Sequence, residues 1–282
     1  MKNLSDINVI KDVMSRHGFS FSKSLGQNFI IDETVCPRIA EMGGCDESTG
    51  VIEIGAGVGV LTAELAKRAK KVVCIELDKR LLPVLDETLS DFDNIEIIND
   101  DILKIDLKKL IEEKFGGMRV VVCANLPYYI TSPVIMLLLE NKLPIDSVTV
   151  MVQKEAGDRL CAKVGSRDAG AVTAAVNFYA EAEKLFNVSR GAFMPSPKVD
   201  SMVIKLNLRK EPLMVLDDEK KFFRLIKAAF GQRRKTAANS ISAGMGIPKE
   251  KVIEALTEAG FSPDIRAEKF SMEDFNKLCS LL

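Results

Sequence analysis

An α/β fold is predicted by three observations. Short apolar runs at 51–54, 72–75, 95–98, 120–123 and 148–152 alternate with stretches of helical spacing. The first four runs end in residues suited to meeting a ligand: Gly55, Glu76, Asn99 with Asp100 and Asp101, and Asn125. Open α/β sheets bind ligands at that edge, the carboxyl ends of the strands. After a linker marked by Glu211-Pro212 and Asp217-Asp218 only helical periods follow. Residues 1–208 are therefore expected to form the sheet domain and 209–282 a small all-helical one.

Composition narrows the chemistry. The 282 residues carry 47% hydrophobic and 28% charged side chains, ordinary for a globular protein and enough for a large domain plus a smaller one. Residues 1–12 mix charge with isolated apolar side chains and do not read as a signal peptide. No run of 18 apolar residues occurs, so no membrane span is predicted and a cytoplasmic location is expected. The six cysteines form no C-x-x-C pair, and Cys74 and Cys123 fall inside predicted strands, which fits reduced thiols. A single histidine, His17, argues against histidine-based triads and His-rich metal sites, so no metal is expected. The net charge of −1 hides an asymmetry: 14 Lys/Arg face 11 Asp/Glu from Arg209 onward, against 25 and 29 before it.

Taken in order, Ile7, Ile10, Met14 and His17 share one face of a helix that Gly18 ends. The stretch Lys23-Ser24-Leu25-Gly26-Gln27-Asn28-Phe29-Ile30 reads as a loop, and Asp32 as the cap of a helix through Ile39 to Met42. The strand at 51–54 runs into Gly55-Ala56-Gly57-Val58-Gly59 and a helix at 60–68. Glycines admit close backbone approach, and a helix N-terminus offers unpaired N–H groups. The sixth position of the loop is Val60, so the dinucleotide fingerprint is not met. Glu76 lies 21 residues after Gly55, a spacing at which a carboxylate can accept from both hydroxyls of a ribose. Gly55, Gly57 and Glu76 together predict a Rossmann-like site for a nucleoside-type cofactor. Asp101 stands where it can accept from an adenine amino group, a role compatible with a helix-capping aspartate.

The fourth strand leads to Ala124-Asn125-Leu126-Pro127-Tyr128-Tyr129. An amide, a proline-stiffened turn and two aromatics at a strand end suit a flat, hydrogen-bonding group. A helix at 131–140, a strand at 148–152, a helix opening at Gln153-Lys154-Glu155-Ala156 and a helix at 172–180 follow. Strands at 186–188 and 199–208 are expected to complete the sheet antiparallel. Between them Phe193-Met194-Pro195-Ser196-Pro197-Lys198 forms a loop whose prolines hold Phe193 in place. Helices are expected at about 218–230, 236–243, 249–259 and 272–281. Lys220, Lys221, Arg224, Lys227, Arg233, Arg234 and Lys235 put seven positive charges into 16 residues with no acid among them. Such a cluster suits phosphates, and equally a solvated helix face.

Several of these motifs, in this order, resemble one family. Gly26-Gln27-Asn28-Phe29, Glu53-Ile54-Gly55-Ala56-Gly57, Glu76-Leu77-Asp78, Asn125-Leu126-Pro127-Tyr128 and Phe193-Met194-Pro195-Ser196-Pro197-Lys198-Val199-Asp200-Ser201 resemble the ribosomal RNA adenine dimethyltransferases. The small-subunit branch, the KsgA family, is the most similar. The resemblance runs from about Lys23 to Ser240, and Phe230-Gly231-Gln232-Arg233-Arg234-Lys235-Thr236 resembles that branch's C-terminal signature. Ala237-Ala238 stand where members commonly carry a bulky residue and a basic one.

The resemblance implies a Rossmann-like, S-adenosylmethionine-dependent methyltransferase sheet with a helical RNA-binding domain. It implies methyl transfer to N6 of two adjacent adenines near the 3′ end of 16S ribosomal RNA in a pre-30S particle, by a monomeric enzyme. Asn28 and Ile30 would close over the donor, Gly55 would line its amino-acid end, Glu76 would hold the ribose and Asp101 would meet the adenine. Asn125 and the Leu126 carbonyl would accept the N6 hydrogens, with Tyr128 and Phe193 on the two faces of a flipped base.

Three other readings compete. A nicotinamide dehydrogenase shares the glycine loop and Glu76, but not this glycine spacing or the Asn-Leu-Pro-Tyr strand end. Large-subunit resistance methyltransferases share the chemistry but usually carry Ile at the Leu126 position. An RNA-binding assembly factor with secondary methylation shares the basic helix but has no need of Asn125 and Tyr128.

Overall fold

The computed structural model describes residues 4–19, 28–232 and 234–282. The chain runs α1 (Ile7–Arg16), β1 (Phe29–Ile30), α2 (Val35–Met42), β2 (Thr49–Ile54), α3 (Val60–Ala66), β3 (Lys71–Ile75), α4 (Leu82–Thr88), β4 (Ile95–Ile98), α5 (Leu107–Phe115) and β5 (Arg119–Asn125). It continues through α6 (Thr131–Glu140), β6 (Ser147–Gln153), α7 (Lys154–Leu160), α8 (Ala171–Tyr179), β7 (Ala180–Val188), β8 (Phe193–Met194) and β9 (Ser201–Leu208) to helices α9 (Glu219–Phe230), α10 (Ala237–Met245), α11 (Lys249–Glu258) and α12 (Met272–Leu281).

Two compact units divide these elements. The first comprises Met1–Gly157 with Ala182–Leu208, the second Asp158–Glu181 with Arg209–Leu282. The first is built on a seven-stranded sheet of order β4-β3-β2-β5-β6-β9-β7. β4, β3, β2, β5 and β6 pair in parallel, and β9 closes antiparallel on β6. β2, β5 and β6 are buried along nearly their whole length, which is why they read as continuous apolar runs rather than alternating ones. The order reverses direction between β2 and β5, and such a switch point opens a crevice at the carboxyl edge.

In the second unit, α8 and α9–α12 enclose Phe178, Phe222, Phe270 and Phe275 in one apolar cluster. Capping side chains mark where its helices start: Asp218 accepts from the Lys221 amide at 2.9 Å, and Ser271 and Asp274 form a reciprocal capping box. Residues 158–181 were expected with the sheet but group with these helices. Ala174 and Phe178 bury themselves in the helical cluster, and a local apolar period does not say which core an element will join.

Three local readings change. The N-terminal helix buries Ile10, Val13 and Met14, so Val13, not His17, completes its face; His17 is exposed and meets Glu87 at 2.8 Å. Thr34, not Asp32, precedes α2. Asp32 instead accepts from the Thr34 amide and hydroxyl in a turn one step earlier. Phe29–Ile30 and Phe193–Met194 were both read as loop, yet they pair antiparallel as β1 and β8.

One contact in the sheet leaves no room for a side chain. A Cβ on Gly50, in β2, would stand 2.2 Å from Cδ1 of the fully buried Phe115. Gly50→Ala should therefore lower stability by about 1–3 kcal/mol, read as a lower urea midpoint at unchanged slope.

Candidate functional site

The register of the central strands sets the site. Ile54 pairs with Ile75 of β3 on one side and Ala124 of β5 on the other, so Gly55, Glu76 and Asn125 leave the sheet side by side. One cavity is lined by all three, together with Asn28, Ile30, Gly57, Asp101, Leu126, Tyr128 and Phe193. Every donor-binding and catalytic residue expected from sequence within 28–193 thus borders a single space.

The glycine loop needs left-handed backbone, with φ +79° at Gly55 and +60° at Gly57, a region a side chain enters only at a cost. A Cβ on Gly57 would press to 3.2 Å from the Phe29 ring, whereas none meets an atom within 4 Å of Gly55. The loop therefore presents bare backbone to the cavity. Glu76 is buried, and its two oxygens accept from the Gly57 amide at 3.0 Å and the Asp78 amide at 2.8 Å. Burial nonetheless raises its pKa above the ordinary glutamate value. Among the described residues no cation pairs with it, so a carboxylate with spare lone pairs faces a ligand-sized space. That arrangement fits the ribose hydroxyls of a nucleoside-type donor.

Asn125 ends β5. Its Nδ2 reaches the Asn28 carbonyl at 3.5 Å, a long contact that leaves Oδ1 as the available acceptor. The Leu126 amide donates to the Met151 carbonyl at 3.2 Å, which fixes the turn while no described N–H engages the Leu126 carbonyl. Tyr128 is half-buried, its hydroxyl 3.0 Å from that of the buried Ser201. Phe193 is only 4% exposed and belongs to the core cluster as well as the cavity wall. The β1–β8 ladder sets Ile30 opposite Phe193, and the Ile31 amide donates to the Ala192 carbonyl at 2.8 Å. Asn28 and Phe193, 165 positions apart in sequence, thereby border one site.

Asp101 borders the cavity while its Oδ1 accepts from the Leu103 amide at 3.0 Å, so turn-capping and cavity-lining coincide in it. On α9, Lys220, Arg224 and Lys227 are exposed and Lys221 half-buried; Arg234 and Lys235 are exposed beyond it. Arg224 donates to the Met245 carbonyl at 3.2 Å, and no described carboxylate forms an ion pair with the others. Arg233 lies outside the described residues.

Glu53 also lines the cavity, although sequence reasoning gave it no role; the signal was a lone acid inside an apolar run. It is fully buried, and burial pushes its pKa up to about 7, with Glu76 adding to the rise and the Cys74 thiol, donating at 3.2 Å, opposing it. A carboxyl whose folded pKa lies above its unfolded one costs stability when it ionises. The Glu53 contribution to stability should thus be full below the ordinary glutamate pKa and be lost as pH rises through 7, by about 3 kcal/mol in all. Urea titrations at several pH values should show that decline in wild type and its loss in Glu53→Gln.

The chain matches the ribosomal RNA adenine dimethylase family over residues 18–282. It is 48% identical to the "Ribosomal RNA small subunit methyltransferase A" of Bacillus cytotoxicus, across 100% of this chain and 98% of the relative, and 47% identical, with the same coverage, to the protein so named in Bacillus mycoides. Among solved structures it resembles a dimethyladenosine transferase from Plasmodium falciparum, with a TM-score of 0.69, 25% identity, and 89% and 95% of the two chains covered. It also resembles the 23S rRNA methyltransferase ErmE, with a TM-score of 0.66, 29% identity, and 90% and 99% covered. With a match over nearly the whole chain and close to half of all positions shared with its full-length relatives, this chain belongs to the ribosomal RNA adenine dimethylase family.

Proposed function

We propose that this chain methylates N6 of adenines in small-subunit (16S) ribosomal RNA, giving N6,N6-dimethyladenosine, and that Asn125 is the residue that receives the target amine. The near-identical coverage of relatives named for the small subunit supports the substrate. The observation that carries the mechanism is the pair of acceptors that no described donor engages, Asn125 Oδ1 and the Leu126 carbonyl, at a strand end beside the cavity that Glu76 also lines.

S-adenosylmethionine, the methyl donor of this family, supplies an electrophilic methyl group on a positive sulfonium when bound. Glu76 holds the ribose, the Gly55–Gly57 backbone admits the donor closely, and Asn28, Ile30 and Asp101 complete its enclosure. An adenine N6 is a weak nucleophile because its lone pair is delocalised into the ring. Two neutral acceptors for its two hydrogens draw the nitrogen toward tetrahedral geometry and stabilise the positive charge that develops there. Tyr128 and Phe193 flank the base and offset the few kcal/mol spent in taking it out of its stack. Transfer leaves N6 cationic with both hydrogens; once it has shed one proton to solvent, a single hydrogen remains and needs only one of the two acceptors, so a second transfer can follow.

One adenine cannot supply enough affinity for a ribosomal RNA. RNA backbone binding falls to Lys220, Lys221, Arg224, Lys227, Arg233, Arg234 and Lys235 of the helical domain at 209–282, with the enzyme acting in the cytoplasm as a monomer on a pre-30S particle. Methyl transfer from labelled donor to small subunits lacking the modification, followed by nucleoside analysis, tests the substrate.

Binding and chemistry should separate by mutation. Glu76→Ala should weaken donor binding by about 1.5–3 kcal/mol for each ribose hydrogen bond removed, and wild-type affinity should decline on acidification as this carboxylate protonates. Asn125→Ala should bind donor almost as wild type while turnover falls about 100-fold or more. Calorimetry with the donor and single-turnover rates read the two effects; unchanged donor affinity in Glu76→Ala would remove the ribose assignment.

Charge reversal of Lys227 and Arg234 to Glu should weaken RNA binding uniformly and lower the salt slope by about 1 for each phosphate no longer neutralised. Donor affinity should stay as it is. A salt slope equal to wild type would reduce the cluster to a solvated face.

A further inference from the structure

The turn after Asn125 carries two adjacent tyrosines with opposite fates. In the short 3-10 turn Tyr128–Ile130 successive side chains point about 120° apart, so the two rings cannot share one face. Tyr128 turns toward Ser201 and is half-buried. Tyr129 borders the same cavity and yet is 58% exposed. It is the one phenylalanine or tyrosine ring of the exposed class among the described residues; every other is buried or half-buried. No described ring stacks on it and no described group bonds its hydroxyl. Leu77, at 52% exposure, and Leu103, at 42%, also border this cavity, so the three most closely grouped of the large apolar side chains left exposed in this unit meet at one cleft, while Met42 and Val199 are exposed away from it. Exposed apolar surface concentrated at a cleft marks a place where something else docks.

A base leaving its strand for the cavity strips stacking from the nucleotides on either side. An aromatic ring at the rim, one residue from the turn that receives the base, can take up one of those neighbours by stacking, with no hydrogen-bond readout. We propose that Tyr129 is a positioning residue that stacks on the nucleotide adjacent to the target adenine and so holds the strand open at the site. This rests on the reading of Asn125 as the receiver of the target amine.

The test uses the full-length enzyme and reconstituted small subunits lacking the modification. Tyr129→Ala should raise KM for the subunit about 5- to 150-fold, the loss falling on KM rather than on kcat or donor affinity. Tyr129→Phe should restore KM, because the ring and not the hydroxyl carries the contact. Subunits whose RNA has a single abasic residue on the 5′ or the 3′ side of the target supply the partner arm. Wild type should lose a similar factor on one of the two, and Tyr129→Ala should lose little more on that same subunit. A Tyr129→Ala enzyme with unchanged KM, or one penalised as heavily as wild type by both abasic neighbours, would overturn the proposal. Wild type that methylates intact subunits but is indifferent to both abasic positions would overturn it too, while leaving methyl transfer itself standing.

Discussion

Parallel pairing in register is the constraint on which the site depends. Because Ile54 is level with both Ile75 and Ala124, a glycine loop, an acid and an amide from three distant stretches emerge at one height on one edge. Nothing in the loops has to be long or elaborate to bring them together. The Gly57 amide then bonds directly to Glu76, so the loop and the acid hold each other in place before any ligand arrives. Preorganisation of this kind spares the binding step the entropy of ordering a loop.

The same enclosure carries an electrostatic cost. Glu53 and Glu76 both line the cavity, both are buried, and no described lysine or arginine pairs with either. A protein selected for stability alone would place apolar side chains there. The cavity is instead lined by two buried carboxyls whose pKa values burial raises, the mark of a binding site rather than of core.

How much of this was legible in the sequence varied with the length of the signal. The five parallel strands and most helix limits could be read, because buried runs and helical periods are statements about many residues at once. The strand ends followed, and with them Gly55, Glu76, Asp101 and Asn125. The β1–β8 ladder could not be read: two-residue strands have no period, and their pairing partner is remote. Asp32 was misplaced because a turn-forming aspartate and a helix cap share one residue preference. The grouping of 158–181 with the helices rests on which core Phe178 enters, a tertiary outcome that leaves no local mark. Glu53 sat in plain view, but its burial beside the cavity only emerges once the sheet is assembled.

The pairing of Phe29–Ile30 with Phe193–Met194 also imposes an order in time. A ribosome releases this chain from the N-terminus, so the strands bearing Gly55, Glu76 and Asn125 emerge and can pair while Phe29 still has no partner. The cavity wall that includes Asn28, Ile30 and Phe193 can form only after residue 194 has left the exit tunnel. Until then the acidic strand edge is open to water along one side. A nascent chain stopped short of that point can hold a sheet, but not an enclosed pocket.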